Sequence, residues 1–316
     1  MKWRFEDLTT FLQVIETGSI TAAATRLNLS KSVVSKRISD LEAALGAALF
    51  QRSTRNVKPT ECGESLYESM RPLIQEINET TERITNRTEA LHGRLRITAP
   101  MTFGTMFLGP TIFEFALRHP DLELALDYED RMVDLVRHGY DVGIRIGTLR
   151  DSSLVARKLC DIRRVVCCAP SYASERGLPT SAADLASHDG IDYAHVHAGQ
   201  LWQFGARRPG GKTLSVVMRS RIVANNGEAM RDAAIAGLGL AVLPLFLAAD
   251  ALRDGRLIPV LPDDMPPPYG LYVVYPPTRH VAAKVRGFVD HLALRFKPPP
   301  PWEVGLQSVV GLPRAA

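Results

Sequence analysis

The stretch between residues 21 and 60 constrains the fold of this chain more strongly than any other. Its central part predicts a helix from Lys31 to Leu45, because Asn28 or Ser30 can cap the start and Gly46 suits the end. At about 100° per residue, the apolar side chains of this helix fall within about 60° of one another. They form a stripe that is expected to be buried, made of Val34, Ile38, Leu41 and Leu45.

The remaining surface of this helix carries short hydroxyls next to long cations. These residues are Lys31, Ser32, Ser35, Lys36, Arg37 and Ser39. Short hydroxyls let a helix lie close to another surface and donate to phosphates or base edges, while cations add charge and reach. Because two short helices and a turn precede it, the pattern is typical of a helix-turn-helix with its recognition helix. The alternative is a solvated surface helix of an ordinary bundle.

A basic arm follows the predicted recognition helix. Arg52, Arg55 and Lys58 flank a polar turn at Ser53. Two short extended segments around this turn would make a wing that suits contacts with the DNA backbone or the minor groove. We therefore add these four residues to the candidate DNA-binding set.

Charge is distributed unevenly along the chain. Residues 1–60 hold nine Lys or Arg and five Asp or Glu, a balance of +4, whereas residues 61–92 hold three and seven, a balance of −4. This pattern indicates a polyanion-binding head followed by an acidic connector. The connector predicts a long helix from Thr60 to about Leu91 with a narrow apolar seam, and pairing with a second copy in a dimer explains such a seam.

The order of these features resembles the winged helix-turn-helix of LysR-type transcriptional regulators. The similarity runs through AAATRLNLSKSVVSKRISDLEAALGAALFQRSTRNVKPTECG and continues with GRLRITAPMTFG, DLVRHGYDVGIRIG, SSLVARKL and GLGLAVLP, over about residues 5–297. Two positions depart from the family pattern. Lys31 stands where Gln, Pro or Ser is usual, which adds attraction for phosphate and leaves the base preference open, and Cys62 stands where Ala is usual.

The resemblance implies a multidomain α/β protein. Its parts would be a mostly α-helical winged helix-turn-helix, a long linker helix and two Rossmann-like lobes similar to a type II periplasmic binding protein. It also implies a cytoplasmic regulator that binds double-stranded DNA, a small-molecule effector and copies of itself, as a homodimer or homotetramer, with RNA polymerase as a further partner. No cofactor and no enzymatic activity are expected.

The body of the chain supports this architecture independently. After Gly93, apolar strands alternate with helices, which predicts an α/β sheet with parallel pairs. The expected division is 1–60 for the DNA-binding domain, 61–92 for the linker, 93–165 with 268–297 for the first lobe, 166–267 for the second lobe and 298–316 for a mobile Pro-rich tail.

A small ligand, such as a carboxylate or an aromatic acid, is expected in the cleft between such lobes, beside the carboxyl ends of strands. TAPMTFG lies at a helix N-terminus that favours an anion, IRIG ends a strand, and ANNGEAM precedes another helix. The candidate contacts are Pro100, Met101, Thr102, Phe103, Arg145, Gly147, Asn225 and Asn226. The alternative for each place is capping or turn chemistry, and for Arg145 it is a salt bridge between domains.

Other classes of protein fit less well. A secreted solute receptor would need a signal segment, and an enzyme would need a nucleophile–base constellation or a cofactor motif. Neither pattern is visible, and no run of about 18 apolar residues predicts a membrane span. His195 and His197 lack neighbouring ligands for a metal. Four cysteines are too few for a disulfide scaffold, and buried apolar thiols are more common than a thiol sensor.

Overall fold

The computed structural model describes residues 3–51, 57–85, 91–149, 151–195, 202–204, 214–277 and 281–306. The chain divides into two compact units. The first unit comprises Met1–Glu89 with Val136–Gly139, and the second comprises Ala90–Leu135 with Tyr140–Ala316. Across the described ranges, no helix is both long enough and apolar enough to cross a membrane.

Four helices form most of the first unit. They are α1 (Phe5–Thr17), α2 (Ile20–Leu27), α3 (Lys31–Leu45) and α4 (Glu61–Thr85). The bounds of α3 are those predicted from the sequence. The Ser30 hydroxyl accepts the amide of Val33 at 3.4 Å and so caps the start of α3, and Gly46 ends it in the left-handed conformation with φ of 67°. Asn28, the other candidate cap, instead ends α2 with φ of 55°.

Apolar side chains from all four helices form one core. Its members are Leu8, Phe11, Leu12, Val14, Ala23, Ala24, Val34, Ile38, Leu41, Leu49 and Ile74. The prediction that Leu45 is buried is wrong, since this side chain is 41% exposed and Leu49 is buried after the helix instead. Glu42 fixes this path, because its carboxylate accepts the amides of Leu49 at 2.6 Å and of Phe50 at 3.2 Å.

Removing the cap of α3 tests how the recognition helix is stabilised. We expect Ser30→Ala to lower the free energy of unfolding by about 1 kcal/mol, because an N-cap hydroxyl satisfies an amide that has no partner within the helix. Urea denaturation followed by circular dichroism measures the change. Ser39→Ala, in the exposed middle of α3, is the matched control and should leave stability unchanged or slightly higher. Equal losses in both variants would contradict the capping role.

The segments on either side of the predicted wing pair with each other. Phe50 and Pro59 form an antiparallel bridge, and the amide of Gln51 donates to the carbonyl of Lys58 at 2.8 Å. The turn between them, with Arg52, Ser53 and Arg55, lies outside the described residues.

The linker helix α4 begins as predicted, because the Thr60 hydroxyl accepts the amide of Gly63 at 3.1 Å. α4 is described as far as Thr85, and residues 86–90, next to the end predicted at about Leu91, lie outside the described part of the chain. Leu91 is not helical, and its side chain packs on the core of the second unit against Gly287.

The strands of the second unit are β1 (Gly93–Ala99), β2 (Leu122–Tyr128), β3 (Val142–Gly147), β4 (Val155–Ile162), β5 (Arg164–Cys168), β6 (Asp189–Tyr193), β7 (Trp202–Phe204), β8 (Leu214–Val216), β9 (Arg219–Ala224), β10 (Leu240–Pro244), β11 (Ile258–Pro259) and β12 (Tyr269–Tyr275). Its helices are α5 (Met101–Phe103), α6 (Gly109–Arg118), α8 (Pro170–Arg176), α9 (Gly227–Ile235), α10 (Leu245–Arg253) and α11 (Ala283–Arg295). The short helix α7 (Leu135–His138) begins in this unit, but its residues from Val136 onward belong to the first unit. A π-helical turn, Gly104–Leu108, joins α5 to α6.

Ten of these strands form two five-stranded sheets, one in each lobe, and β7 pairs with β8 in a two-stranded sheet. The first lobe has the order β2-β1-β3-β12-β4, and the second has β11-β5-β10-β6-β9. β1 runs parallel to β2 and β3, and β6 runs parallel to β9 and β10. The predicted two-lobed α/β fold is therefore confirmed. The predicted lobe boundary after residue 165 cuts through β5, because the chain already leaves the first sheet at Arg163.

Residues 298–306 differ from the mobile tail that was predicted for residues 298–316. Residues 301–303 form a 3-10 turn in which Trp302 is only 3% exposed, and Leu306 is fully buried. The proline-rich composition predicted an extended chain, but the large apolar side chains interspersed in it pack against both lobes. Residues 307–316 lie outside the described part of the chain.

Candidate functional site

The outer face of α3 is the first candidate site. Lys31, Ser32, Ser35, Lys36 and Ser39 are all exposed, while Val34, Ile38 and Leu41 of the same helix are buried. The structure thus brings five of the predicted DNA-binding residues together on one face of α3, the helix that Ser30 caps. A row of short hydroxyls flanked by cations can approach a DNA groove closely and donate to phosphates or base edges.

Arg37 and Lys58 differ from this group. The guanidinium of Arg37 is half-buried and donates to the Thr10 hydroxyl of α1 at 3.2 Å. Arg37 therefore holds the recognition helix against α1. Lys58 is exposed on the paired segment next to the predicted wing.

Arg4 is a basic residue that the sequence interpretation missed. It is exposed just before α1 and lines a recess with Asp7, Lys36, Arg37 and Asp40. Its backbone amide donates to the Asp7 carboxylate at 2.9 Å, which holds the start of α1 in place. No sequence signal marks this residue, because only the packing of α1 against α3 brings it beside Lys36.

The second candidate site lies at the carboxyl ends of β1, β2 and β3. Four polar side-chain atoms there are buried without a hydrogen-bond partner among the described residues. They are the Thr98 and Thr102 hydroxyl oxygens, the Tyr128 hydroxyl and the Nη2 atom of Arg145. A buried polar atom without a partner costs free energy, so such a group of atoms is typical of a place where a polar ligand binds.

Arg145 is the most unusual of these residues. It is 8% exposed, and its Nη1 atom donates to the carbonyl of the neighbouring Ile144 at 2.8 Å. Burial lowers the pKa of its guanidinium, which the Tyr140 hydroxyl partly opposes. The salt bridge that the sequence left open as an alternative is absent, since none of the ion pairs among the described residues involves Arg145.

The start of α5 already has a carboxylate partner. The amide of Met101 donates to Asp130 at 2.9 Å, so this amide is not available to an anionic ligand. Asp130 also accepts the hydroxyl of Tyr193, at the end of β6 in the second lobe, and the pKa of Tyr193 is raised by burial and by this carboxylate. The Asp130–Tyr193 contact thus joins the two lobes. The sequence could not reveal it, because the residues come from distant strands.

The other predicted effector contacts differ in burial and in hydrogen bonding. Phe103 is fully buried in the aromatic core of the first lobe, which favours a packing role over contact with an effector. Pro100 is half-buried before α5, and Gly147 ends β3 with φ of 150°, a conformation that favours glycine. Asn226 caps α9 by accepting the amide of Ala229 at 3.0 Å, as the capping alternative predicts, and Asn225 is exposed beside it.

Three of the four cysteines lie in apolar surroundings. Burial raises the pKa of Cys160 to about 12 and that of Cys168 to about 11, and it also raises the pKa of Cys167. Cys62 is exposed. Among the described residues, no group of three or more His, Cys, Asp or Glu could hold a metal ion. His197 lies outside this part of the chain.

Thiol labelling distinguishes buried cysteines from a thiol sensor. At pH 8, a thiol with a pKa of about 11 is only about 0.1% thiolate, and burial also blocks access. We expect an aromatic disulfide reagent to label Cys62 rapidly and the other three at least about a hundredfold more slowly. Cys62→Ser should remove the fast phase, and denaturant should make all thiols react. A second fast thiol in the folded Cys62→Ser variant would contradict this assignment.

Comparisons with known proteins cover most of the chain. Residues 5–64 match the family described as "Bacterial regulatory helix-turn-helix protein, lysR family", and residues 88–297 match the "LysR substrate binding domain". An HTH-type transcriptional regulator of Haemophilus influenzae is 36% identical over 90% of this chain and 98% of that protein.

Two solved structures are similar over nearly the full chain. AphB, a virulence activator of Vibrio cholerae, is 30% identical, covers 93% of this chain and 99% of its own, and has a TM-score of 0.57. CrgA, a LysR-type regulator of Neisseria meningitidis, is 29% identical with the same coverage and TM-score. Sequence, fold and both matched regions agree: the chain belongs to the LysR family of DNA-binding transcriptional regulators, with an effector-binding domain.

Proposed function

We propose that the effector of this regulator is a small carboxylate or aromatic acid that binds in the cleft between the lobes, and that it controls DNA binding or bending. Thr102 and Arg145 are the central contacts, with Pro100, Gly147, Asn225 and the Met101 side chain at the edges. Phe103 is left out because it belongs to the core, and Asn226 because it caps a helix.

The burial of the Arg145 guanidinium, with its Nη2 atom lacking a partner among the described residues, is the single observation that supports this proposal most strongly. A guanidinium buried without a carboxylate is costly, because the charge loses most of its hydration and gains no ion partner. A ligand carboxylate would provide that partner through two parallel hydrogen bonds, a geometry that arginine favours. Thr98 lies on β1 and pairs with Gly143 of β3, the strand that carries Arg145. The hydroxyls of Thr98 and Thr102 have no partner among the described residues, which suits a ligand with further oxygen atoms.

We place DNA recognition on α3 and the wing. The proposed contacts are Lys31, Ser32, Ser35, Lys36, Ser39, Arg52, Ser53, Arg55 and Lys58, with Arg37 as a support and Arg4 as an addition. Two recognition helices of a dimer require half-sites on one face of the duplex, separated by near-multiples of about 10.5 bp. The effector can act only if it binds two conformations of the protein with different affinity.

Self-association is the other part of the proposal. Phe113 and Leu117 on α6 are 57% and 85% exposed, which is unusual for large apolar side chains on one helix face. We infer that they contribute to contacts between copies, in a dimer or tetramer. The two lobes meet at Arg163, and residues 298–306 belong with the lobes. A cytoplasmic location and contact with RNA polymerase stay predictions.

Selection of sheared genomic DNA on the purified protein, followed by footprinting, tests this function. A discrete protected site with paired half-sites is expected, and its pattern should change with at least one member of a panel of small carboxylates, including benzoate. Diffuse binding that falls steeply with salt would mean that the basic head attracts DNA without reading its sequence. A footprint that no carboxylate alters would move the effector to another chemical class.

A further inference from the structure

The C-terminal segment Pro298–Leu306, named the strap here, lies beyond the region that matches the effector domain of the family, which ends at residue 297. The strap is ordered by its own hydrogen bonds. The amide of Glu303 donates to the Pro300 carbonyl at 3.0 Å, and the amide of Leu306 donates to the Glu303 carbonyl at 3.2 Å. It therefore has a defined shape against the lobes.

Trp302 anchors the strap in the first-lobe core. Its ring lies edge-on to Phe107 at 4.9 Å between centroids and to Phe103 at 5.7 Å, and it also contacts Phe246 of α10 at 6.0 Å. Aromatic rings at these distances and angles attract each other beyond the burial of their area. Phe103 directly follows Thr102 in α5, so the strap packs against the same short helix that carries the proposed effector contact.

Polar contacts hold the backbone of the strap. The Nη2 atom of Arg253, at the end of α10, donates to the carbonyls of Trp302 at 3.2 Å and Val304 at 2.9 Å. The Glu303 carboxylate is 8% exposed and lies 3.7 Å from Arg163, where the chain crosses between the sheets. Burial raises the pKa of Glu303, and Arg163 opposes this shift. These contacts fix the strap where the two lobes meet.

The far end of the strap lies in the other lobe. Leu306 is fully buried in the second-lobe core with Leu245 and Leu257, whereas Trp302 belongs to the first-lobe core. Only three residues thus separate an anchor in one lobe from an anchor in the other. A short chain that is fixed at both ends limits how far the lobes can separate.

We propose that the strap is a positioning element of the effector site: it restrains the angle between the lobes and, through Trp302 and Phe103, holds the turn that carries Thr102. This inference rests on the proposed function, because it assumes that the effector binds between the lobes. Movement of α5 or of one lobe then requires the Trp302 contacts to rearrange. Trp302 acts through Phe103 and does not itself contact the effector.

Hydrogen–deuterium exchange of the full-length protein, without ligand or DNA, tests the strap. We expect Trp302→Ala to raise exchange of the Met101–Leu108 amides by at least about tenfold while the amides of β1 and β3 keep their protection. Arg253→Gln, which releases the strap carbonyls without opening the core, should give a smaller increase in the same peptides. Trp302→Phe should restore most of the protection.

Phe288→Leu is the matched control. Phe288 is fully buried in the same core but packs against Phe115 of α6, so its truncation reduces stability without releasing the strap. Exchange that rises equally at Met101–Leu108 in this control, or throughout the first sheet in Trp302→Ala, would overturn the positioning role and leave Trp302 an ordinary core residue. Unchanged exchange at Met101–Leu108 in both strap variants would also overturn it. Because these exchange measurements use no effector, their outcome is independent of whether a carboxylate binds.

Discussion

Lys36→Ala is expected to weaken binding to the operator by about tenfold or more, with the dimer and the fold intact. Lys36 is exposed in the middle of the recognition helix, between Ser35 and the half-buried Arg37. If Lys36 contacts a phosphate, its loss weakens binding to all sequences and reduces the slope of log affinity against log salt by about 1. If it contacts a base, one position of the site loses its preference. Fluorescence anisotropy titrations at several salt concentrations separate these cases.

Lys297→Ala is the matched control for Lys36→Ala. It removes the same charge from an exposed position in the second unit, so affinity and salt slope should stay near those of the wild type. Arg4→Ala should reduce affinity less than Lys36→Ala, through phosphate attraction alone. Equal affinities for Lys36→Ala and Lys297→Ala would remove α3 as the DNA-binding face.

The recognition helix could be predicted almost completely from the sequence because its signals are local. A capping serine, a glycine in the left-handed conformation and the spacing of Val34, Ile38 and Leu41 together determine where α3 begins, ends and packs. The error at Leu45 arose at the last residue of the helix, where the path of the following chain decides what is buried. That path depends on Glu42, whose hydrogen bonds to Leu49 and Phe50 cannot be read from helical periodicity.

The proposed effector site was only partly predictable because its burial depends on contacts between distant segments. Thr102 and Phe103 are adjacent in one motif, yet Thr102 carries an unsatisfied hydroxyl and Phe103 lies in an aromatic core completed by Trp302. The Met101 amide donates to Asp130, which follows a helix and a strand later in the chain. No local pattern in the sequence could therefore show that this amide at the start of α5 is already occupied. The ordered conformation of the strap was not predicted for the same reason. Its proline content is visible in the sequence, whereas the aromatic partners of Trp302 come from distant segments.

Arg145→Met should separate the effector response from the stability of the fold. Methionine is close in length to the apolar part of arginine and removes a buried charge that has no carboxylate partner among the described residues. We expect the free energy of unfolding to stay the same or to rise, by up to about 4 kcal/mol, as when buried ionic groups are replaced by apolar ones. Operator binding without effector should be unchanged. Stabilisation by carboxylates, which reaches about 2.7 kcal/mol at a hundredfold excess over Kd for a ligand of the folded state, should be lost.

Thermal unfolding of the wild type and the variant against the same carboxylate panel measures both effects. Arg157→Met is the matched control, because Arg157 lies on β4 of the same sheet but is exposed and paired with Asp290. An exposed ion pair contributes little, so this control should keep both its stability and its response. A strong loss of stability in Arg145→Met with a retained carboxylate response would show that the guanidinium serves the fold. A gain in stability with a lost response would mean that the chain keeps a destabilising buried charge because its ligand requires it.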